Sequence, residues 1–181
     1  AAPDIQVHFI PYKVVLKDGK RILGKEPGIT CTVNQNRPES KGSIHIKSDN
    51  PEEHPSIRYN FLSNQLDKDT LVAGVKLIRQ IMQSDPMKEF CDDEIQPGLA
   101  FASDKEILKY IKDKAETVYH PVGTCKMGFD EYAVVDKNLK VHGIKGLRIA
   151  DASIMPTLIS GNTNAACMMI GERCADFILN N

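Results

Sequence analysis

The apolar pattern of this chain changes period along its length, and this change limits the folds open to it. In the first third, the apolar residues Ile5, Val7 and Phe9 alternate with polar neighbours. Alternation with a period of two is typical of a strand that buries one face. The segments 29–33 and 44–46 have the same β-branched or alternating character and predict further strands.

Turn-forming residues separate these predicted strands. Asp18 and Gly19 form a dipeptide typical of a tight hairpin. The segments 37–42 and 49–51 contain the proline, glycine and asparagine that favour turns. We therefore expect an antiparallel sheet with one buried face.

From residue 67 onward the period becomes that of an amphipathic helix. One predicted helix covers 67–83. Its apolar face is formed by Leu71, Val75, Ile78 and Met82. The polar residues Asp67, Lys68, Arg79 and Gln80 lie elsewhere on the helix. This helix should end before Pro86, because a proline disfavours helical backbone in the residue before it.

Two more helices are predicted towards the C-terminus. The second covers 103–116, opens with the capping-box residues Ser103 and Glu106, and buries Ile107, Ile111 and Ala115. The third covers 163–179, is capped by Asn162 or Thr163, and follows a short strand at 147–150. The order of elements predicts an α+β fold in which helices cover an antiparallel sheet, as one compact unit.

Composition excludes several classes of partner. The 24 acidic and 23 basic residues give a net charge of -1, which predicts no nucleic-acid binding by bulk charge. No apolar run approaches the roughly 20 residues of a membrane helix, so we expect no membrane-spanning segment. Five scattered cysteines without a Cys-x-x-Cys pair favour free thiols in the cytoplasm over a disulfide framework or a zinc finger.

Two polar segments are candidates for chemistry. In 119–128, His120 follows a predicted helix and precedes Pro121. Histidine is the most common general base in enzymes, although the same pattern suits a histidine hydrogen-bonded at a helix end. In 151–164, the residues that open the last helix offer backbone amides to a negative charge, although they also suit a simple N-cap.

The order of many residues in the second half resembles one known family. The matching segments are 119–128, 134–136, Leu139, 141–143, 146–148, 151–153, 155–157 and 161–164, together with 3–6, 37–42, 49–51 and 60–62 earlier in the chain. These segments resemble the C-terminal part of the glucose-methanol-choline (GMC) flavin oxidoreductases, in the branch of choline and alcohol dehydrogenases.

The resemblance implies that this chain acts together with a second part of the protein, which this sequence does not include. Members of the family begin with a dinucleotide-binding unit that carries Gly-x-Gly-x-x-Gly, and that pattern does not occur here. By this resemblance, 1–133 is the substrate-binding domain and 134–181 is a segment that returns to an N-terminal FAD-binding domain. The isolated chain is then expected to be inactive and to retain no FAD.

The resemblance also implies roles for individual residues. His120 would take the hydroxyl proton of a small primary alcohol while a hydride passes to FAD, and Asn162 would hydrogen-bond the substrate oxygen. Asp151, Ala152 and Thr163 match positions that contact FAD. His8 matches a strand position that lies in the substrate pocket of choline-oxidising relatives.

Two other readings remain open at the level of the sequence. The chain could be a stand-alone binding or interaction module that keeps the scaffold without catalysis. It could also use His120 and Cys125 as a metal site, but a lone His/Cys pair falls short of the three protein ligands of a catalytic zinc, so we expect no metal.

Overall fold

The computed structural model describes residues 2–17 and 20–180, which divide into two compact units. The first unit comprises residues 3–35 and 64–116, and the second comprises residues 36–63 and 117–180. The sequence predicts one compact unit; the structure has two because 36–63 leaves the first unit and joins the C-terminal part of the chain.

The strands form three separate antiparallel pairs in the described part of the chain. In the first unit, β1 (Ile5–Ile10) pairs with β4 (Thr30–Gln35), and β2 (Val14–Lys17) pairs with β3 (Lys20–Leu23). In the second unit, β5 (Ser43–His45) pairs with β6 (Ser56–Arg58). The predicted hairpin turn at Asp18 and Gly19 lies outside the described residues.

The prediction of a single sheet is therefore wrong, and local hydrogen bonds show why. Beyond the end of β1, the amide of Val14 donates to the Thr30 hydroxyl over 2.9 Å, and this hydroxyl donates to the Tyr12 carbonyl over 3.0 Å. The Thr30 side chain thus forms hydrogen bonds with two backbone groups that would otherwise be available to extend the β1–β4 ladder towards β2.

Helix α1 (Gln65–Met82) packs on β4 and β1. Gly74 allows this approach, because a Cβ built there would lie 2.8 Å from Val33 Cγ2. The predicted apolar residues of α1 are partly buried, but Asp67, predicted on another face, is buried with them. Its spacing of four residues from Leu71 places it on that face.

Two further helices complete the first unit. Helix α2 (Asp85–Lys88) is short and follows the break after α1 at Gln83. Helix α3 (Asp104–Lys114) has the predicted capping box, in which Ser103 N donates to Glu106 Oε2 over 2.9 Å and Glu106 N donates to Ser103 Oγ over 3.3 Å. Its Ile107 and Ile111 are buried as predicted, whereas Ala115 is exposed because the helix ends before it, at Lys114.

The second unit is built on helix α4 (Asn164–Leu179) and a 3₁₀ helix (Ala152–Ile154). Its core consists of Val135, Leu139, Ile154, Met155, Ile170 and Cys174. The strand predicted at 147–150 is reduced to an isolated bridge between Arg148 and Lys140. Gly143 and Gly146, with φ of 76° and 77°, turn the chain too sharply there for a regular ladder.

Candidate active site

The backbone around His120 is constrained on both sides. Tyr119 has φ of 63°, which is uncommon for a residue with a bulky side chain, and its amide donates to Thr117 Oγ1 over 3.0 Å. Pro121 restricts the backbone of His120 to extended conformations. His120 lies in the loop beyond α3, not at the end of that helix, and is half-buried.

Both ring nitrogens of His120 contact neighbouring residues at the start of α4. His120 Nε2 lies 2.9 Å from Asn162 Nδ2, and His120 Nδ1 lies 2.9 Å from Thr163 Oγ1. Asn162 is exposed, whereas Thr163 is buried. The structure therefore brings together three of the residues that the sequence singles out.

The loop that follows His120 is fastened to the 3₁₀ helix. Cys125 N donates to Ser153 O over 3.0 Å, and Met127 N donates to Ile154 O over 2.8 Å. Gly123 has φ of 88°, and a Cβ built there would lie 3.3 Å from Met155 O. Glycine is the residue that suits both the left-handed conformation and this close approach.

Asp151 and Ala152 lie at the start of the 3₁₀ helix. The carboxylate of Asp151 caps this helix, because Asp151 Oδ1 accepts from Ser153 N over 2.7 Å. Asp151 is exposed and Ala152 is half-buried. One oxygen of Asp151 thus orders its own loop, and the residue still presents a charged group to solvent.

The N-terminus of α4 lies beside the His120 ring. Thr163 is the N-cap residue, as predicted, but its side chain makes no capping hydrogen bond, and the first bond of the helix runs from Cys167 N to Thr163 O over 2.9 Å. The amides of the first turn precede that bond and have no carbonyl partner within the helix. Ser160 Oγ, just before this turn, accepts from Arg37 Nε over 2.7 Å.

His8 belongs to the first unit. Its Nε2 donates to Asn34 Oδ1 over 2.9 Å, because a carbonyl oxygen can only accept. His8 is opposite Thr32 in the β1–β4 ladder, and paired residues share a face. Val33, next to Gly74 of α1, is on the other face, so half-buried His8 points away from α1.

The side chains of two residues have positions that sequence reasoning misses. The sequence gives Thr163 a role at the helix start or at a cofactor, whereas its hydroxyl contacts His120, which lies 43 positions away along the chain. Arg148 donates to the carbonyls of Asn138 and Phe177, the latter over 3.0 Å, and so joins the 134–150 segment to the end of α4. An arginine within the predicted strand is the available signal for the contacts of Arg148.

Cys125 does not lie in a cluster of ligands. Within residues 2–17 and 20–180, no three or more His, Cys, Asp or Glu side chains are grouped so that they could hold a metal ion. The five cysteines are free thiols, and Cys174 is buried in the core of the second unit. In the same described ranges, no helix is both long and apolar enough to cross a membrane.

Comparison with known proteins assigns the class and then the family. A family model described as GMC oxidoreductase matches residues 38–171, which include His120, Asn162 and Thr163. The match covers more than half of the chain, so the chain has the fold of a class of oxidoreductases. The chain belongs to the GMC oxidoreductase family.

Individual relatives agree with this assignment. The chain is 42% identical over 178 residues, 98% of its length, to an oxygen-dependent choline dehydrogenase of Escherichia coli, of which it covers 31%. Its structure is similar to pyridoxine 4-oxidase from Mesorbium loti, with a TM-score of 0.87, 28% identity, and coverage of 99% of this chain and 35% of that chain. An FAD-dependent oxidoreductase from Chaetomium thermophilum has a TM-score of 0.78 and 29% identity, with coverage of 83% and 26%. The chain thus spans about a third of the length of the proteins that it matches.

Proposed function

We propose that this chain supplies the substrate side of the active site in an FAD-dependent oxidoreductase that converts a primary alcohol to an aldehyde. The observation that carries this proposal is the His120 ring, which both Asn162 and Thr163 contact at the N-terminus of α4. The names of the relatives, a choline dehydrogenase and an FAD-dependent oxidoreductase, support the choice of alcohol chemistry and of cofactor.

His120 is proposed as the general base. An imidazole nitrogen with a lone pair accepts the hydroxyl proton of the alcohol, and the amide of Asn162 donates to the substrate oxygen as negative charge develops on it. An asparagine amide does not exchange a proton at neutral pH, so the base is His120 and not Asn162. The constrained backbone at Tyr119 and Pro121 keeps the ring in place before substrate binds.

The residues present fit a bound flavin at the start of α4. When bound, FAD accepts the hydride that leaves the alcohol carbon. The amides of the first turn, including those near Thr163, lie at the positive end of a 16-residue helix and favour negative charge beside them. Asp151 and Ala152 are proposed to contact the same cofactor, and His8 is proposed to line the substrate pocket.

We also propose that 1–133 is the substrate-binding domain and that 134–181 packs against a separate FAD-binding domain of the same protein. The outer face of α4 supports the second point, because Met168 and Met169 are 61% and 55% exposed while Ile170 and Cys174 of the same helix are buried. The isolated chain is then inactive and flavin-free. Its free thiols are consistent with a cytoplasmic location.

A chimera tests this function. The matching third of the E. coli choline dehydrogenase is replaced by this chain, and the purified chimera is assayed with choline and with other primary alcohols. We expect bound flavin and turnover, with His120→Gln lowering kcat/KM by about 10²–10⁴-fold. His54→Gln, an exposed histidine of the same unit, is the matched control. A flavin-loaded chimera whose activity is unaffected by His120→Gln would contradict the proposal.

A further inference from the structure

The Thr163 side chain is buried at the start of α4 but does not cap that helix. Among the described residues only Asn36, Asp67 and Thr163 are buried polar or charged side chains. Thr163 occupies the N-cap position of α4, where a threonine hydroxyl ordinarily accepts from an amide of the first turn. Here φ of -82° and ψ of -10° are helical rather than extended, and the hydroxyl contacts His120 Nδ1 instead.

The two contacts of the His120 ring determine where its proton lies. The nitrogen Nδ2 of Asn162 can only donate, so His120 Nε2 is the acceptor in that contact. A neutral imidazole carries one proton, which is then on Nδ1. The hydroxyl of Thr163, 2.9 Å from Nδ1, is therefore the acceptor of that proton.

We propose that Thr163 is the positioning residue that, together with the Asn162 amide, fixes the tautomer and orientation of His120. By accepting from Nδ1, its hydroxyl leaves the lone pair on Nε2, on the side of Asn162. This inference rests on the proposed function, in which Nε2 takes the substrate proton. The Nδ1 bond persists in the imidazolium, because Nδ1 still carries a proton after Nε2 is protonated.

Conservative variants separate this role from simple packing. Thr163→Val keeps the shape of the side chain and removes the acceptor, whereas Thr163→Ser keeps the acceptor. The backbone amides of the helix start are present in both variants. Rescue by serine is therefore the expected signature of a positioning hydroxyl.

Long-range ¹H–¹⁵N NMR of the histidine rings tests the inference on this chain without flavin or alcohol. The His120 signals are assigned by their loss in His120→Gln. We expect a protonated Nδ1 and an unprotonated Nε2 for neutral His120 in the wild type and in Thr163→Ser, and a lower population of that tautomer in Thr163→Val. The signals of the other four histidines report whether each variant keeps its fold.

A protonated Nε2 in the wild type, or an unchanged ring in Thr163→Val, would overturn the inference. The first result does not depend on Thr163→Val, so misfolding of that variant does not prevent the test. In the chimera, Thr163→Val should lower kcat by about 10–100-fold with little change in KM, and Thr163→Ser should restore it. The NMR result decides the role of Thr163, whereas the alcohol assay with His120→Gln decides the proposed function.

Discussion

His120 shows how single residues prepare this site. The left-handed Tyr119 and Pro121 fix its backbone, and contacts at both ring nitrogens fix its side chain. Holding a side chain in one rotamer costs conformational entropy. Here that entropy is lost when the protein folds, so in the proposed function it would not be lost again when substrate binds. The site is thus preorganised by neighbours on both sides along the chain and by the start of α4.

Gly123 holds the turn after His120 and should not tolerate a side chain. Gly123→Ala should lower the free energy of unfolding by about 1–2 kcal/mol, because alanine is strained at φ of 88° and its Cβ would approach Met155 O. Gly171→Ala is the matched control: this helical glycine faces open space, and alanine should stabilise α4 by about 0.5–1 kcal/mol. Urea unfolding of both variants measures the difference, and equal effects would contradict the account.

The ionisation of Asp136 should make the stability of the second unit depend on pH. Burial raises the pKa of its carboxyl, but the amides of Lys140 and Asn138, at 2.9 and 2.8 Å, outweigh it, so the pKa lies below its ordinary value. Since the folded pKa is depressed, the ionised carboxylate stabilises the fold above about pH 4 and this contribution is lost as pH falls through the folded pKa.

The variant Asp136→Asn tests this dependence. The urea midpoint is measured at neutral pH and at about pH 3. Between these two pH values it should fall less in the variant than in the wild type, because asparagine does not titrate. His54→Gln serves as a control. Its urea midpoint should fall by as much as that of the wild type between the same two pH values. Equal losses in Asp136→Asn and the wild type would contradict the role of this carboxylate.

At the scale of the element, an ion pair holds the segment between α2 and α3. Arg79 of α1 donates to both oxygens of Glu94 at 2.8 Å, and also to Phe101 O at 2.8 Å and Gly98 O at 3.3 Å. The side chains of Arg79 and Glu94 are 17% and 20% exposed, so solvent screens this pair less than the other ion pairs of the first unit.

Breaking this pair should destabilise the protein. Arg79→Met should lower the free energy of unfolding by about 2–3 kcal/mol, because it leaves the Glu94 carboxylate poorly solvated. Lys88→Met, which breaks the exposed pair with Asp85, should change it by no more than about 0.5 kcal/mol. A double variant with Glu94→Gln should cost less than the sum of the single changes in urea unfolding; additive effects would argue against coupling.

Elements whose signals are local could be predicted from the sequence. The periodicity of 67–83 and the Ser103–Glu106 capping box place α1 and α3 within a few residues of their observed bounds, and the third predicted helix corresponds to α4. The division into three separate strand pairs and the absence of a regular strand at 147–150 could not be predicted. They depend on the Thr30 hydroxyl, on Gly143 and Gly146, and on which segment joins which unit.

In the candidate site, too, local features could be predicted from the sequence and a long-range contact could not. His120, Asn162 and Thr163 could be singled out through a family resemblance and through helix-start chemistry. The use of the Thr163 hydroxyl could not, because it requires that the residue before α4 adopt helical φ and ψ and that the His120 loop lie beside it. Spacing along the chain carries no such information.

At the scale of the whole molecule, the chain is about a third of the proteins it matches, and its second unit concentrates the candidate groups. His120, Asn162 and Thr163 lie in that unit with Asp151 and Ala152. The GMC family assignment applies to the chain as it stands. In the proposed function, the reaction would belong to the whole protein and would need a cofactor-binding part that supplies FAD.

Anaerobic flavin reduction in the chimera tests the central claim most directly, because it isolates the step in which the alcohol loses its proton and hydride. The rate is measured by rapid mixing across pH for the wild type, His120→Gln and His54→Gln. We expect His120→Gln to be slower by about 10²–10⁴-fold, without the pH dependence of a titrating base, and His54→Gln to match the wild type. A His120→Gln variant with full flavin content and an unchanged rate and pH profile would contradict the assignment of His120 as the base.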